Sequence, residues 1–226
     1  SAASDVYKRQ AYMQKLNAEW EEKQALLKKA CEELSEIRRK NAAVLTQKLK
    51  DALIGLNFLT VEFDIAVRPG QAITTKGYDD VEFLISTNPG ESLKPLNQVA
   101  SGGELSRVML AIKTVLAGKD AIDTLIFDEI DTGISGRAAA KVGLKLHEAA
   151  ENRQILCVTH LAQIAAMADT QLLIKKTSDE KRTYTGITKL DFEGRKREIA
   201  RIISGDENDP ISLENAEMLL LRKNVI

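Results

Sequence analysis

The chain has 226 residues, of which 44% are hydrophobic, 29% charged and only 4% aromatic, with 32 basic residues against 33 acidic ones. That balance gives no bulk electrostatic case for binding nucleic acid or an anionic membrane. No apolar run approaches the roughly 18 residues of a transmembrane helix, so no membrane partner is expected.

The length allows one or two domains. The first residues lack the apolar stretch of a signal peptide. Cys31 and Cys157 are far apart and form no disulfide framework, which suits a reducing, cytoplasmic setting.

The first fifty residues are rich in Ala, Glu, Lys and Leu, a bias that fits a long helix. Within them DVYKRQ, Asp5 to Gln10, resembles the translation of a transposon-end sequencing adaptor. Residues 1–10 are therefore expected to be a scar, with the natural chain beginning further upstream. From Met13 a 3-4 spacing runs through Leu16, Trp20, Lys23, Leu27, Ala30, Leu34, Ile37, Asn41 and Val44, predicting a coiled-coil arm over residues 11–56. A helix with one apolar stripe needs a partner, and no second such helix occurs in the sequence.

After Leu56 the period changes. LTVEFDIAV places Val61, Phe63, Ile65 and Val67 on one face of a strand, Pro69-Gly70 predicts a turn, and AITT and VEFLIST read as two further strands before a turn at Asn88-Pro89-Gly90. A helix follows from Glu104 to about Leu116, then a short buried strand at Leu125 to Phe127, a helix over 136–150, a second buried strand in QILCVTH and a helix over 161–168. A late hairpin and two polar helices, near 193–203 and 212–222, complete the chain. Strands alternating with helices predict an α/β fold with a mostly parallel sheet over residues 57–226.

Three places could carry chemistry. In ASGGELSR, Ser101 can cap a helix and Glu104 can close a capping box. Capping does not require Gly102 and Gly103, because glycine disfavours a helix. Glycines there remove side chains so that backbone N–H groups can approach a ligand closely, and a helix start favours an anion such as phosphate. In LIFDEID, Asp128 and Glu129 emerge at the carboxyl end of a strand, where open α/β sheets bind ligands. With a nucleotide present, Asp128 would hold Mg²⁺ and Glu129 would polarise an attacking water; without one, the pair is an acidic, solvated turn. His160, after the second strand, could reach a γ-phosphate or the water, or could be structural. The clusters Arg38-Arg39-Lys40 and Arg195-Lys196-Arg197 could touch phosphates but equally fit solvated helix faces. No G-x-x-x-x-G-K-[ST] phosphate cradle occurs in the sequence.

The ordered series ASGGELSR, LIFDEID and VTHLAQIAAMAD resembles the signature, Walker B and H-loop of ABC-type ATPases. A coiled coil leading into such a head resembles the SMC-like, DNA-repair branch of that family. The stretches STNPGESLKPLNQVASGGELSRVMLAIK and FDEIDTGISGRAAAKVG carry the resemblance furthest. It implies the C-terminal half of such a protein: the returning arm plus the C-terminal lobe of an ATPase head, with P-loop and outgoing arm in an absent N-terminal lobe. It further implies ATP and Mg²⁺ as ligands, a head-to-head homodimer, and DNA as partner in double-strand break repair, at the nucleoid. Carried onto this chain, Ser101, Gly102, Gly103 and Glu104 would face ATP held by the other head. Asp128, Glu129 and His160 would serve their own head's ATP, and Asp131, Thr132 and Gly133 match the D-loop at the dimer interface. ATP hydrolysis is expected of the full dimer and not of this chain alone. An ABC transporter nucleotide-binding domain and a non-catalytic coiled-coil scaffold are the alternatives. The long coiled coil and Glu104, where transporters carry glutamine, count against the first; the intact set Ser101, Asp128, Glu129 and His160 counts against the second.

Overall fold

The computed structural model describes residues 2–58, 60–99, 101–117, 119, 121–178 and 182–222. Ala100, which opens the ASGGELSR stretch, and Ser1, which opens the expected scar, lie outside the described residues. Residues 1–48, 62–86 and 90–96 form one compact unit, and residues 49–61, 87–89 and 97–226 a second.

The first unit is built on helix α1 (Ala2–Gly55), which passes without a break through the adaptor-like residues and ends in the second unit. Its expected seam is not its buried face. Met13, Trp20, Ile37 and Val44 are all more than half exposed, whereas Cys31 and Ser35 are buried. The reason is a hairpin of strands β1 (Glu62–Thr74) and β2 (Gly77–Ser86), antiparallel, with the short β3 (Lys94–Pro95) against β2. At the hairpin's tip Asp79 is fully buried as a side chain and accepts from Ser35 Oγ at 2.7 Å and Arg38 Nη1 at 2.8 Å. Arg38 Nη2 also donates to the Lys76 carbonyl at 2.6 Å. Arg38 is therefore a structural cation that ties the hairpin to the arm, and the hairpin groups with the arm and not with the residues after it.

Phe63 and Ile65 supply the buried face of β1, as the alternation predicts, and Phe63 packs on Phe83 with ring centroids 5.9 Å apart. Pro69-Gly70 does not turn the chain. Strand β1 runs through it, the register slips between Pro69 and Thr74, and the reversal comes at residues 75–76. Among the described residues β1 is the edge strand of its sheet, a place where proline is tolerated.

In the second unit α1 ends in a Schellman motif. Asn57 takes a left-handed φ of 69°, the Phe58 amide donates to Leu53 O at 3.1 Å and the Asn57 amide to Ile54 O at 3.1 Å. The motif delivers Phe58 into the interior, where it is 7% exposed. Helix α2 (Gly102–Val115), strand β4 (Thr124–Phe127), helix α3 (Gly136–Ala149), strand β5 (Gln154–Cys157) and helix α4 (Ala162–Ala165) follow. Strands β4 and β5 are parallel neighbours, paired Thr124 to Gln154 through Phe127 to Cys157. Val108, Leu110 and Ala111 of α2, Ile130, and Val142 and Leu146 of α3 are buried in this unit.

The apolar runs predict both strands to be buried, yet Ile126 is 70% exposed and Leu156 and Val158 are also exposed. Side chains alternate across a strand, and the opposite face of this parallel pair is uncovered. Among the described residues the parallel sheet is thus these two strands. The others form two separate antiparallel sheets: β2 between β1 and β3, and the hairpin of β6 (Leu172–Ser178) and β7 (Thr183–Lys189).

Helices α5 (Phe192–Ser204) and α6 (Pro210–Arg222) pack Ile199, Ala200, Ala216 and Leu220 with Ala162, Ala165 and Ala166 of the α4 segment. Asp191 caps α5 through Gly194 N at 2.8 Å, and Asp209 accepts from Ser212 N at 2.8 Å in the first turn of α6. Two members of the second basic cluster act inside this unit. Arg195 Nη2 donates to the Ala166 and Ala168 carbonyls at 3.2 and 2.8 Å, and Lys196 pairs with Glu217. Among the described residues no helix is long and apolar enough to cross a membrane.

Candidate functional site

The site begins at the start of α2. Ser101 adopts an extended φ, ψ of −97° and 121°, and its Oγ accepts from the Glu104 amide at 3.4 Å. That satisfies one of the helix's unpaired N–H groups. Glu104 does not return the favour as a capping box requires. Its Oε2 accepts from Thr87 Oγ1 at 3.4 Å.

The two glycines have a reason within this chain. A Cβ on Gly103 would lie 2.9 Å from Glu129 O, Thr132 Cβ and Thr132 O. A Cβ on Gly102 would lie 2.5 Å from Glu129 Oε2. The segment that approaches so closely is the loop after β4, which carries the acidic pair. The close approach inferred from the sequence is therefore made first by the chain's own residues 129–132, with Glu129's carboxylate lying over the start of α2.

The loop leaves β4 at Asp128, whose Oδ1 accepts from the Glu129 amide at 2.9 Å. Glu129 has a φ of 57°, a left-handed conformation that costs a non-glycine residue on the order of 1–3 kcal/mol unless its surroundings impose it. The surroundings are two side chains of α2. Ser106 Oγ donates to Asp128 O at 2.8 Å, and Arg107 Nη1 donates to Ile130 O at 3.1 Å and Thr132 O at 2.9 Å. Arg107 is 7% exposed and its guanidinium carbon lies 5.5 Å from the centre of the Phe58 ring. Burial lowers its pKa from the ordinary arginine value and the nearby Glu104 charge opposes that shift.

The third part is at the end of β5. Asp131 is 3% exposed, and its Oδ2 accepts from Thr159 Oγ1 at 2.6 Å and the His160 amide at 2.9 Å. The same oxygen lies 3.1 Å from His160 Nδ1, while the His160 side chain is 75% exposed. Nδ1 is thus held inward and Nε2 left to the outside, an arrangement that fixes ring orientation and tautomer. The resemblance puts Asp131 at a dimer-facing loop; here its carboxylate is turned inward as the orienter of His160. Thr132 and Gly133 are exposed.

Asp128, Glu129, Asp131 and His160 are therefore all at the carboxyl ends of β4 and β5, and Ser101, Gly102 and Gly103 lie against the same loop. Cys157, also here, has its thiol pushed up to about 12 by burial and by the Asp131 and Asp128 charges. Among the described residues no group of three or more His, Cys, Asp or Glu could hold a metal ion alone. A single exposed carboxylate, Asp128, fits an ion that takes its other ligands from phosphates and water.

Sequence reasoning missed Arg107, Ser106, Thr159 and Phe58. The signal for Arg107 is present. Gly103, Arg107, Leu110 and Ala111 recur at helical spacing on the buried face of α2, so an arginine interrupts an apolar stripe and must find buried acceptors.

A solved SMC head domain with a coiled coil and joint from Pyrococcus yayanosii superposes with a TM-score of 0.52 over 75% of this chain and 30% of that chain, at 16% identity. The fold is that of an SMC-type ATPase head. No family model matches the chain. The DNA repair protein RecN of Halalkalibacterium halodurans is 41% identical over 191 residues, 83% of this chain and 34% of that protein. RecN of Vibrio cholerae is 42% identical over 193 residues (85% and 35%), and RecN of Treponema pallidum 51% over 144 residues (64% and 25%). The chain matches part of RecN, spanning a quarter to about a third of the length of these relatives.

Proposed function

We propose that this chain is the C-terminal part of an SMC-like ATPase acting in DNA repair, and that it supplies half of a nucleotide site. The observation that carries this reading is the shared address of the three motifs. The start of α2, the Asp128–Glu129 pair and the Asp131-held His160 belong to one hydrogen-bonded network at the carboxyl ends of β4 and β5, where α/β sheets bind ligands.

Ser101 Oγ and the amides of Gly102 and Gly103 would donate to the γ-phosphate of an ATP held by the second head of a homodimer. Glu104 belongs to the same signature turn and, at the first turn of α2, keeps Ser101 oriented. Asp128 would hold Mg²⁺, which when bound neutralises charge on the phosphates. Glu129 would leave the start of α2 to orient the attacking water and accept its proton. With Nδ1–H committed to Asp131, Nε2 of His160 would stand beside the γ-phosphate and accept a hydrogen bond from the attacking water. Thr132 and Gly133, exposed beside Asp131, would line the dimer interface.

The remaining surfaces support the same reading. The exposed stripe of Met13, Leu16, Trp20, Leu27, Ile37 and Val44 suits the outgoing helix of a coiled coil. The uncovered face at Ile126, Leu156 and Val158 suits the N-terminal lobe that would bring the P-loop. Residues 1–10 remain a scar in this reading, 11–56 the arm and 57–226 the lobe. The complete protein would work on DNA in the cytoplasm, at the nucleoid.

The test is ATP hydrolysis. This chain alone should show none, and joined to an N-terminal lobe with a P-loop it should hydrolyse ATP faster with DNA present. Glu129→Gln in the joined protein should accumulate an ATP-bound dimer by light scattering. Hydrolysis by the isolated chain, or rapid turnover by Glu129→Gln, refutes the assignment.

A further inference from the structure

We infer that Arg107 is a positioning residue that holds the backbone at Glu129 in its left-handed conformation, so that the start of α2 and the backbone of the acidic loop of one chain move as a single body. This role rests on the one proposed for Glu129 and adds to it the means by which that residue's backbone is placed.

Two carbonyls make Arg107 necessary. Ile130 is fully buried and its carbonyl, with that of Thr132, receives Arg107 Nη1. A buried carbonyl left unpaired is costly, so the loop cannot keep its path without this donor. The donor in turn cannot wander. Arg107 is flanked by the Phe58 ring, which the Schellman motif at the end of α1 puts in place. A planar guanidinium over a ring delivers fixed N–H directions, which an ammonium does not.

The loop has little room to drift toward α2, because a Cβ placed on Gly103 would already lie 2.9 Å from Glu129 O and Thr132 O. It cannot drift away without breaking the Ser106 bond to Asp128 O. Between these limits Glu129 is left with its positive φ, which it would leave for an ordinary conformation if the clamp were removed. Residues that would touch the partner head's nucleotide, Ser101 and Gly102, are on the same helix two turns or less from Arg107. A push on that helix start by a phosphate would therefore be felt at Glu129.

The experiment uses the complete protein and measures kcat and KM for ATP, with ATP affinity by a fluorescent analogue. Arg107→Met should lower kcat ten-fold or more while KM and affinity stay within about three-fold. Arg107→Lys, which keeps the charge and loses the planar fork, should lower kcat about three-fold. Combined with Glu129→Gln, neither change should slow the enzyme further, because Arg107 acts through Glu129. A merely structural arginine would instead multiply its loss onto that of Glu129→Gln or raise KM. Wild-type kcat in Arg107→Lys, or multiplicative losses in the double variants, overturns the inference; Arg107→Lys remains decisive even if Arg107→Met does not fold. Wild-type kcat in Glu129→Gln alone would overturn the site reading instead, whatever the arginine variants do.

Discussion

Adding one methyl group at Gly102 and at Gly103 should have unequal consequences, although the two residues are neighbours in one helical turn. At Gly103 the new Cβ meets Glu129 O, Thr132 Cβ and Thr132 O, each at 2.9 Å. Two of these are backbone atoms and the third is fixed to one, so none can step aside alone. Forcing a methyl into a packed site costs about 1–3 kcal/mol, and the helix gains at most about 1 kcal/mol from replacing glycine by alanine. The net expectation for Gly103→Ala is a loss of about 1–2 kcal/mol, which for a chain of this size lowers the melting temperature by roughly 3–6 °C. At Gly102 the Cβ meets only Glu129 Oε2, at 2.5 Å, with the carboxyl carbon next at 3.7 Å. A carboxylate at the end of a flexible side chain swings away at little cost, so Gly102→Ala should leave stability within about 0.5 kcal/mol of the parent. Urea unfolding followed by far-UV circular dichroism measures both. Equal stabilities, or a Gly103→Ala chain as stable as the parent, would show that the loop after β4 does not press on α2, and the clamp described for Arg107 would fall with it.

Two further outcomes follow from charged and reactive groups. Burial alone would raise the Asp79 pKa, but the Ser35 hydroxyl and the Arg38 guanidinium outweigh it and hold the carboxyl below its ordinary value of 3.8. A folded pKa below the unfolded one contributes stability that is present above about pH 4 and is lost as pH falls through the folded value. Asp79→Asn should therefore melt below the parent by a constant margin from pH 5 to 8, and that margin should close as pH drops below 4; a margin independent of pH down to 2 would refute the pairing. Cys157, with its thiol at about 12, should react with a disulfide reagent at pH 8 on the order of 10²-fold more slowly than a free thiol of pKa near 8.5, because the greater nucleophilicity of its thiolate offsets part of the smaller thiolate fraction. Prompt labelling of Cys157 in a folded Cys31→Ser chain would contradict that burial.

Periodicity located nearly every element, because helices and strands bury one face and leave a repeat in the sequence. It failed where a contact between distant residues decided the outcome. The 3-4 repeat of α1 marks an apolar stripe but cannot say that Cys31 and Ser35, on another face, are the ones the β1–β2 hairpin covers. Pro69-Gly70 has the composition of a turn, and only the pairing of β1 with β2 through Pro69 and Asp79 shows a bulge. The apolar runs at 125–127 and 154–158 predict strands correctly but not that one face of each stays open, since burial depends on which layers are present.

The candidate site divides along the same line. Residue types and their order were enough to single out Ser101, Gly102, Gly103, Asp128, Glu129 and His160, because each is unusual for its local element: glycines in a helix start, carboxylates at a strand end. The groups that orient them were not legible. Asp131 looks like one more acid in an acidic turn until its carboxylate is found under His160. Arg107 looks like one more charge in a polar helix until its buried acceptors are seen. Their chemistry is common and their positions alone are special. The glycines join both kinds. Their signature in the sequence says that something comes close, and two candidates satisfy it: a ligand's phosphate or the chain's own loop. With Glu129 Oε2 already at the start of α2, a negatively charged group stands where a phosphate would bind. A phosphate arriving there must displace that carboxylate, and the displaced carboxylate is the one assigned to the attacking water. In the proposed dimer, binding at one nucleotide and readiness at the other would thus be linked through a single side chain.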